Sequence, residues 1–359
     1  MLIKSVRLCN FRNAELSQAE FSRSVWIYGA NAQGKTNLLE SCALMWALRS
    51  FRTSKISSVI KNGAGAAQIL AAISHEVFGE CEVMMEISKS SRRIFVNDAE
   101  QKRLADFIGK FPAIAVCADD IKLVRGAPME RRRFADMLIS SLSPEYFEAL
   151  RRYHASLAQR NALLKAESPD EPSLEAFEIQ MAENAVLINS IREKYFETIG
   201  KIATQKYEIL ACGAEKAAIR LKPDASAGSA QEYMEMLKSL RAKDIVLGST
   251  SAGPHKDDFL IFVSGKNVRE FASEGQQRSV ALSLKLAQFE MVKDFGGVLP
   301  VLLCDDILGE LDSSRKAAFW SCIEPGAQVI ATSTSPAPLC SARADWRVIE
   351  AKNGQYFAK

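Results

Sequence analysis

The run Gly29-Ala30-Asn31-Ala32-Gln33-Gly34-Lys35-Thr36, entered from the apolar stretch Val25-Trp26-Ile27-Tyr28, constrains the fold more than any other part of the chain. It fits the phosphate-loop pattern G-x-x-x-x-G-K-[ST], which needs a buried strand before it and a helix after it. It therefore predicts a strand at 25–28 and a helix from about Lys35. The glycines let backbone N–H groups turn inward around phosphate oxygens, and the helix start adds its positive end. In such a loop Lys35 neutralises the β- and γ-phosphates, Thr36 ligates Mg2+, and Asn37 follows on the helix. The alternative is an ordinary glycine-containing turn, which leaves the strand and helix around it without a purpose. The chain is expected to bind a nucleoside triphosphate.

With 359 residues there is room for two domains, or for one with a large insertion. Residues 1–125 read as strands and turns around one helix, with strand-like runs at 2–8, 69–73, 81–87, 93–96 and 113–117. Ser143-Pro144 is a good helix start, and apolar residues repeat from Tyr146 to Leu164 at helical spacing. A second helix opens near Pro172-Ser173 and ends at Gly213. At 1.5 Å per residue the two would be roughly 35 and 60 Å long, an antiparallel lobe spanning 126–245. From 246 to 359 the α/β pattern returns, with strands at 259–263, 298–304, 328–332 and, as the last, 346–350. The head is thus built from both ends of the chain.

Two further elements carry chemistry. The apolar strand Pro300–Cys304 runs into Asp305-Asp306, and carboxylates at the carboxyl end of a buried strand sit where an open α/β sheet places its ligands. Asp305 would hold Mg2+ opposite Thr36, and Asp306 would polarise the attacking water. The alternative is a pair of helix-capping aspartates. Ser273-Glu274-Gly275-Gln276 precedes an apolar helix, and such a helix start can bind an anion. By itself it could equally be a plain cap.

The order of phosphate loop, Ser-x-Gly-Gln, Asp-Asp and Gly309-Glu310-Leu311-Asp312 resembles ATPase heads of the ABC and structural-maintenance-of-chromosomes class. Within that class the chain is similar to the RecF family. The specific matches are Gln159-Arg160-Asn161-Ala162-Leu163-Leu164-Lys165 and Gly253-Pro254-His255-Lys256-Asp257-Asp258. Others are Ser50–Thr53, Asp120–Pro128 and Arg131–Asp136. The resemblance implies an α/β fold, an ABC/SMC-type P-loop ATPase head with an inserted helical lobe. It implies a head-to-tail homodimer sandwiching ATP, with Ser273, Gly275 and Gln276 of one copy facing the phosphate on Lys35 of the other. It also implies binding to gapped or duplex–single-strand junction DNA, and work with RecO and RecR in loading RecA.

The chain departs from the family pattern in places. Ala32 stands where the loop usually has another Gly, Ala118 replaces a Pro before Asp119-Asp120, and Lys256 replaces an Arg. No His follows the Ala331–Thr334 strand end, where many ABC ATPases place a γ-phosphate sensor, so slow hydrolysis suited to a switch is expected. Net charge is only +3, so DNA contact must come from local clusters, for which Arg131, Arg132, Arg133, Arg151, Arg152, Arg160 and Lys165 are candidates. A solvated helix face with local ion pairs is the alternative for each. Arg52 is a candidate sensor near the nucleotide. The eight cysteines include no C-x-x-C pair, which argues for reduced thiols rather than zinc or disulfides. No apolar run spans a bilayer, and the cytoplasm is the expected compartment. The competing readings are a nucleotide-binding subunit of an ATP-driven transporter and a small-molecule kinase. A chromosome-organising clamp would need longer helices.

Overall fold

The computed structural model describes residues 1–53, 55–103, 106–167, 169–336 and 345–359, without the side chains of Trp46, Leu308 and Glu310. Cys340 lies outside the described residues, and the other seven cysteines are free thiols. Two compact units emerge: Met1–Ile121 with Lys206–Glu215 and Arg278–Lys359, and Lys122–Gln205 with Lys216–Gln277.

The first unit contains two six-stranded sheets among the described residues. One is antiparallel and orders β2 (Ala14–Glu20), β1 (Leu2–Phe11), β4 (Ala66–His75), β5 (Gly79–Ser88), β6 (Arg92–Val96) and β7 (Ala99–Glu100). Its strands alternate as a half-buried sheet must: Ala67, Ile69, Ala71 and Ile73 of β4 all point into the core. The Asn97-Asp98 turn between β6 and β7 takes positive φ at both residues, the geometry a two-residue hairpin prefers.

The other sheet orders β15 (Gln355–Ala358), β14 (Trp346–Lys352), β3 (Ser24–Tyr28), β13 (Val329–Ser333), β12 (Val301–Asp305) and β8 (Ala113–Cys117). All of its pairings are parallel except β14 with β15. Val25, Trp26 and Ile27 of β3 are fully buried, because a parallel strand is covered on both faces. Helix α1 (Lys35–Ala47) packs against β8, β12 and β13 of this sheet and against β1 of the other. It is therefore buried on almost every side, and it carries the polar Glu40 and Ser41 inside with Leu38, Leu39, Cys42 and Leu44. Strand β3 leads into α1 through residues 29–34, and β12 ends at Asp305. The strand order leaves β13 between them.

The second unit holds α2 (Lys122–Arg125), α3 (Pro128–Leu142), α4 (Pro144–Leu163), the larger part of α5 (Glu171–Leu210), α6 (Ala230–Leu247), α7 (Val268–Phe271) and the first turn of α8 (Glu274–Gly296). It also has a small antiparallel sheet of β9 (Ala217–Lys222), β10 (Asp258–Val263) and β11 (Lys266–Asn267). Ser143 caps α4, accepting from the Tyr146 N–H, with Pro144 at the first helical position. Helices α4 and α5 run antiparallel, since Ser156 bonds Gln180 while the earlier Tyr146 meets the later Arg192. Three features differ from the sequence expectation. The lobe also contains α3 and α6, the strands β2 and β9 lie in stretches read as connections, and the final strand is β15 rather than β14. The remaining helix, α9 (Ser313–Ser321), belongs to the first unit and is capped by Asp312, which accepts from Arg315 N.

Candidate functional site

Residues 29–34 turn tightly between β3 and α1. A Cβ at Gly29 would collide with the carbonyl oxygen of Ala351, so only glycine lets the loop pass β14. Ala32 has φ of +65°, the left-handed region that an L side chain enters at a cost of about 1 kcal/mol. Lys35 is buried, and its ammonium donates to the carbonyls of Gly29 (2.8 Å) and Ala30 (3.2 Å). The cation thus sits inside the ring of loop residues.

Thr36, the second residue of α1, donates its hydroxyl to Asp305 Oδ1 at 2.9 Å. Asp305 Oδ1 also lies 2.9 Å from the Thr332 hydroxyl on β13, and that same hydroxyl accepts from the Asp306 N–H at 3.0 Å. Thr332 therefore fixes both aspartates across the intervening strand, a link the sequence reading missed because it depends on sheet order. Burial pushes the Asp305 carboxyl up from its ordinary range, with the two hydroxyls pulling it back. Asp306 adopts a left-handed conformation (φ 54°) and faces the cavity described next.

That cavity, about 610 Å3, is lined by Asn31, Ala32, Gln33, Gly34, Lys35, Thr36 and Asn37 together with Asp306. Arg12, Asn13, Arg52, Ser58, Ile60, Lys61 and Asn62 complete it. All of these residues belong to the first unit. Glu40, fully buried one turn along α1, clamps two of the cations. It accepts from Arg12 Nε (2.9 Å) and Nη2 (2.6 Å), from Ser50 Oγ, and at 3.5 Å from Arg52 Nη1. Arg52 also donates to Asn37 Oδ1 at 2.8 Å. The structure thus brings Arg52 to the cavity as expected, and adds Arg12, which no sequence motif had marked.

The residues present suit a magnesium triphosphate. Thr36 and Asp305 offer hard oxygen donors beside a buried ammonium, and Mg2+ is held through one or two protein oxygens and phosphate rather than an all-protein cage. No cluster of three or more His, Cys, Asp or Glu able to hold a metal occurs among the described residues. Asp120 accepts from the Cys117 N–H (2.8 Å) and lies 3.8 Å from Lys285.

Ser273, Gly275 and Gln276 open α8 and belong to the second unit. Ser273 Oγ accepts from the Gln276 N–H (3.3 Å), while Gln276 Oε1 accepts from the Ser273 N–H (2.7 Å). This reciprocal capping box fixes the serine at the helix start.

The candidate DNA contacts divide by burial. Arg160 is completely buried between Glu178, Asp244 and Thr250. Arg131 is only 4% exposed and forks onto Asp258 at 2.7 and 2.9 Å. Neither can reach a phosphate, so both are corrected from surface contacts to internal ion pairs. Their charge is tolerated inside because each is matched by a carboxylate. Arg132 donates to the Asp257 carbonyl and is half-buried, as is Arg133. Arg151, Arg152 and Lys165 are exposed, Arg151 pairing with Glu148 on its own helix.

The Gly-Pro-His-Lys-Asp-Asp stretch is likewise internal to the second unit. Asp257 pairs with Arg192 (2.7 Å), which also binds Asp136, Tyr146 and the Pro254 carbonyl. His255 meets Tyr153 Oη through Nδ1 (2.7 Å) and the Thr250 carbonyl through Nε2 (3.2 Å). Burial lowers its pKa to about 4. His255 is a packing and hydrogen-bonding residue.

A DNA replication and repair protein RecF from Exiguobacterium sp. is 36% identical over 346 residues, which cover 93% of this chain and 93% of that protein. The chain belongs to the RecF family. A RecF from Geobacillus kaustophilus is 34% identical over 347 residues, with the same coverage of both chains. The solved structure of a recombination mediator RecF with ATP, described as part of a RecFOR pathway, superposes with a TM-score of 0.91 at 30% identity. That match covers 99% of this chain and 97% of RecF. An Smc head domain from Pyrococcus furiosus shares the fold at a TM-score of 0.56 and 18% identity, covering 99% of this chain and 95% of that one. No family model matches the chain. The architecture is therefore that of an ABC/SMC-type ATPase head, and the RecF assignment brings with it an ATP-binding site. No helix among the described residues is long and apolar enough to cross a membrane.

Proposed function

We propose that this chain is an ATP-driven DNA-binding switch of recombinational repair and replication-fork maintenance, working in the cytoplasm with slow, DNA-responsive ATP hydrolysis. The arrangement of Lys35, Thr36 and Asp305 supports it most strongly: a buried ammonium inside the loop, and a hydroxyl bonded to a carboxylate 269 residues away. In this reading the loop N–H groups and Lys35 bind the triphosphate. Thr36 and Asp305 hold Mg2+, which would offset charge on the phosphate oxygens. Asp306, at the cavity edge, orients the attacking water and accepts its proton.

The cavity is lined from one unit alone, whereas the Ser273 helix start belongs to the other. A second copy supplying Ser273, Gly275 and Gln276 would complete the site, giving a head-to-tail dimer that closes on ATP. DNA at gaps or duplex–single-strand junctions would meet Arg151, Arg152 and Lys165, with the half-buried Arg132 and Arg133 as further candidates. Such phosphate contacts weaken with salt and ignore sequence. RecR and RecO would be the partners through which the switch promotes RecA loading.

Sedimentation with a slowly hydrolysed ATP analogue tests the reading, with and without gapped DNA. It predicts a dimer only with nucleotide and a heavier complex only with both. A monomer under every condition would refute the switch.

A further inference from the structure

The hairpin of β14 and β15 presses its turn against the phosphate loop. The Gly354 N–H donates to the Gln33 carbonyl (3.0 Å) and the Asn353 N–H to the Gln33 side-chain oxygen (2.8 Å). The buried Tyr356 hydroxyl donates to the Gly34 carbonyl at 3.0 Å. A loop that turns its N–H groups toward an anion must turn carbonyls outward, and buried carbonyls need donors. Lys35 serves those of Gly29 and Ala30 from within; from outside the hairpin serves that of Gln33, and through Tyr356 it gives that of Gly34 a second donor beside the Leu38 N–H of α1 (3.1 Å). Ala32 holds a positive φ between the two sets, and a strained residue persists only where its surroundings over-determine it.

We propose that the β14–β15 hairpin, through Tyr356 and the Asn353-Gly354 turn, is a positioning element that keeps the phosphate loop in its triphosphate-binding shape. The inference rests on the nucleotide reading above. The hairpin touches no reacting atom, so it acts on affinity: apparent binding falls by the fraction of loops in the competent shape, while a loop once filled turns over as before. A second anchor holds the hairpin itself, since Gln355 donates to the Leu16 carbonyl at 2.7 Å.

Titration calorimetry with MgATP and steady-state phosphate release test this on the full chain. Tyr356→Phe removes one donor and little volume. It is expected to weaken ATP binding and raise KM about five- to tenfold, leaving kcat at saturating ATP unchanged. The melting temperature without nucleotide should hardly move, which a merely structural residue would not allow. Gly354→Ala should weaken binding further, because its φ is +76° and a Cβ would press within 3.1 Å of the Asn13 carbonyl oxygen. Affinities equal to the unmodified chain in both variants would overturn the inference, as would a fall in kcat at unchanged KM. If the unmodified chain fails to bind ATP, the nucleotide reading falls first and takes this inference with it. If it binds and the variants match it, the inference falls alone.

Discussion

The phosphate loop of the first unit is held by backbone carbonyls, one lysine and a hairpin. The 250–258 segment of the second is held by charged side chains buried against one another. In the loop, the carbonyls at 29, 30 and 33 each accept one donor, that at 34 accepts the Leu38 N–H as well as the Tyr356 hydroxyl, and the cation at the centre remains available to a ligand. In the lobe, Arg160, Arg192 and Arg131 spend their guanidinium groups on Glu178, Asp244, Asp136, Asp257 and Asp258. Two stretches that both contribute to the resemblance thus have different work: one is built to receive anions, and the other already contains them.

The largest effect should come from breaking the lobe's network. Arg160→Ala leaves Glu178 and Asp244 buried without their shared partner, although Arg241 still meets Glu178. It should cost about 3–5 kcal/mol in denaturant unfolding, and a loss under 1 kcal/mol would show the ion pairs to be dispensable. In the loop, Lys35→Met should cost about 2–5 kcal/mol of ATP binding with little change in fold. Unchanged affinity by calorimetry would remove the contrast between the two regions.

A smaller effect separates them by pH. His255 titrates in the folded lobe at about 4, below its ordinary 6.5. Its neutral form therefore stabilises the fold above pH 6.5, and that contribution is lost as pH falls toward 4. Between pH 7 and 5 the chain should lose about 2 kcal/mol more than a His255→Gln variant. Parallel stability curves for the two would contradict this. The smallest effect concerns Ala32→Gly, which relieves the positive φ and should raise stability by about 0.5 kcal/mol against the added freedom of the unfolded chain. A fall in melting temperature would mean that the loop is not strained there.

Short-range chemistry was legible in the sequence. The strand–loop–helix around Gly29–Thr36, the capped start of α4 at Ser143-Pro144 and the carboxylates ending β12 all depend on neighbouring residues. Helix α6 carries a similar local signal in Ser229 and Glu232, where the Ser229 hydroxyl accepts from the Glu232 N–H. What could not be read depends on distant partners. Arg160 looks like any surface arginine until Asp244, 84 residues on, is known to close over it. Thr332 gains its place between Asp305 and Asp306 only once β13 lies next to β12. The support of Gly34 by Tyr356 spans 322 residues.

The central claim is that the cavity of one copy is completed by the Ser273 helix start of another, and complementation tests it most directly. Ser273→Arg and Lys35→Met should each remain monomeric when alone with ATP. Mixed, they regain one intact composite site, so light scattering should report an ATP-dependent dimer in the mixture only. A mixture that stays monomeric with ATP, or a Ser273→Arg protein that dimerises unaided, would contradict the account.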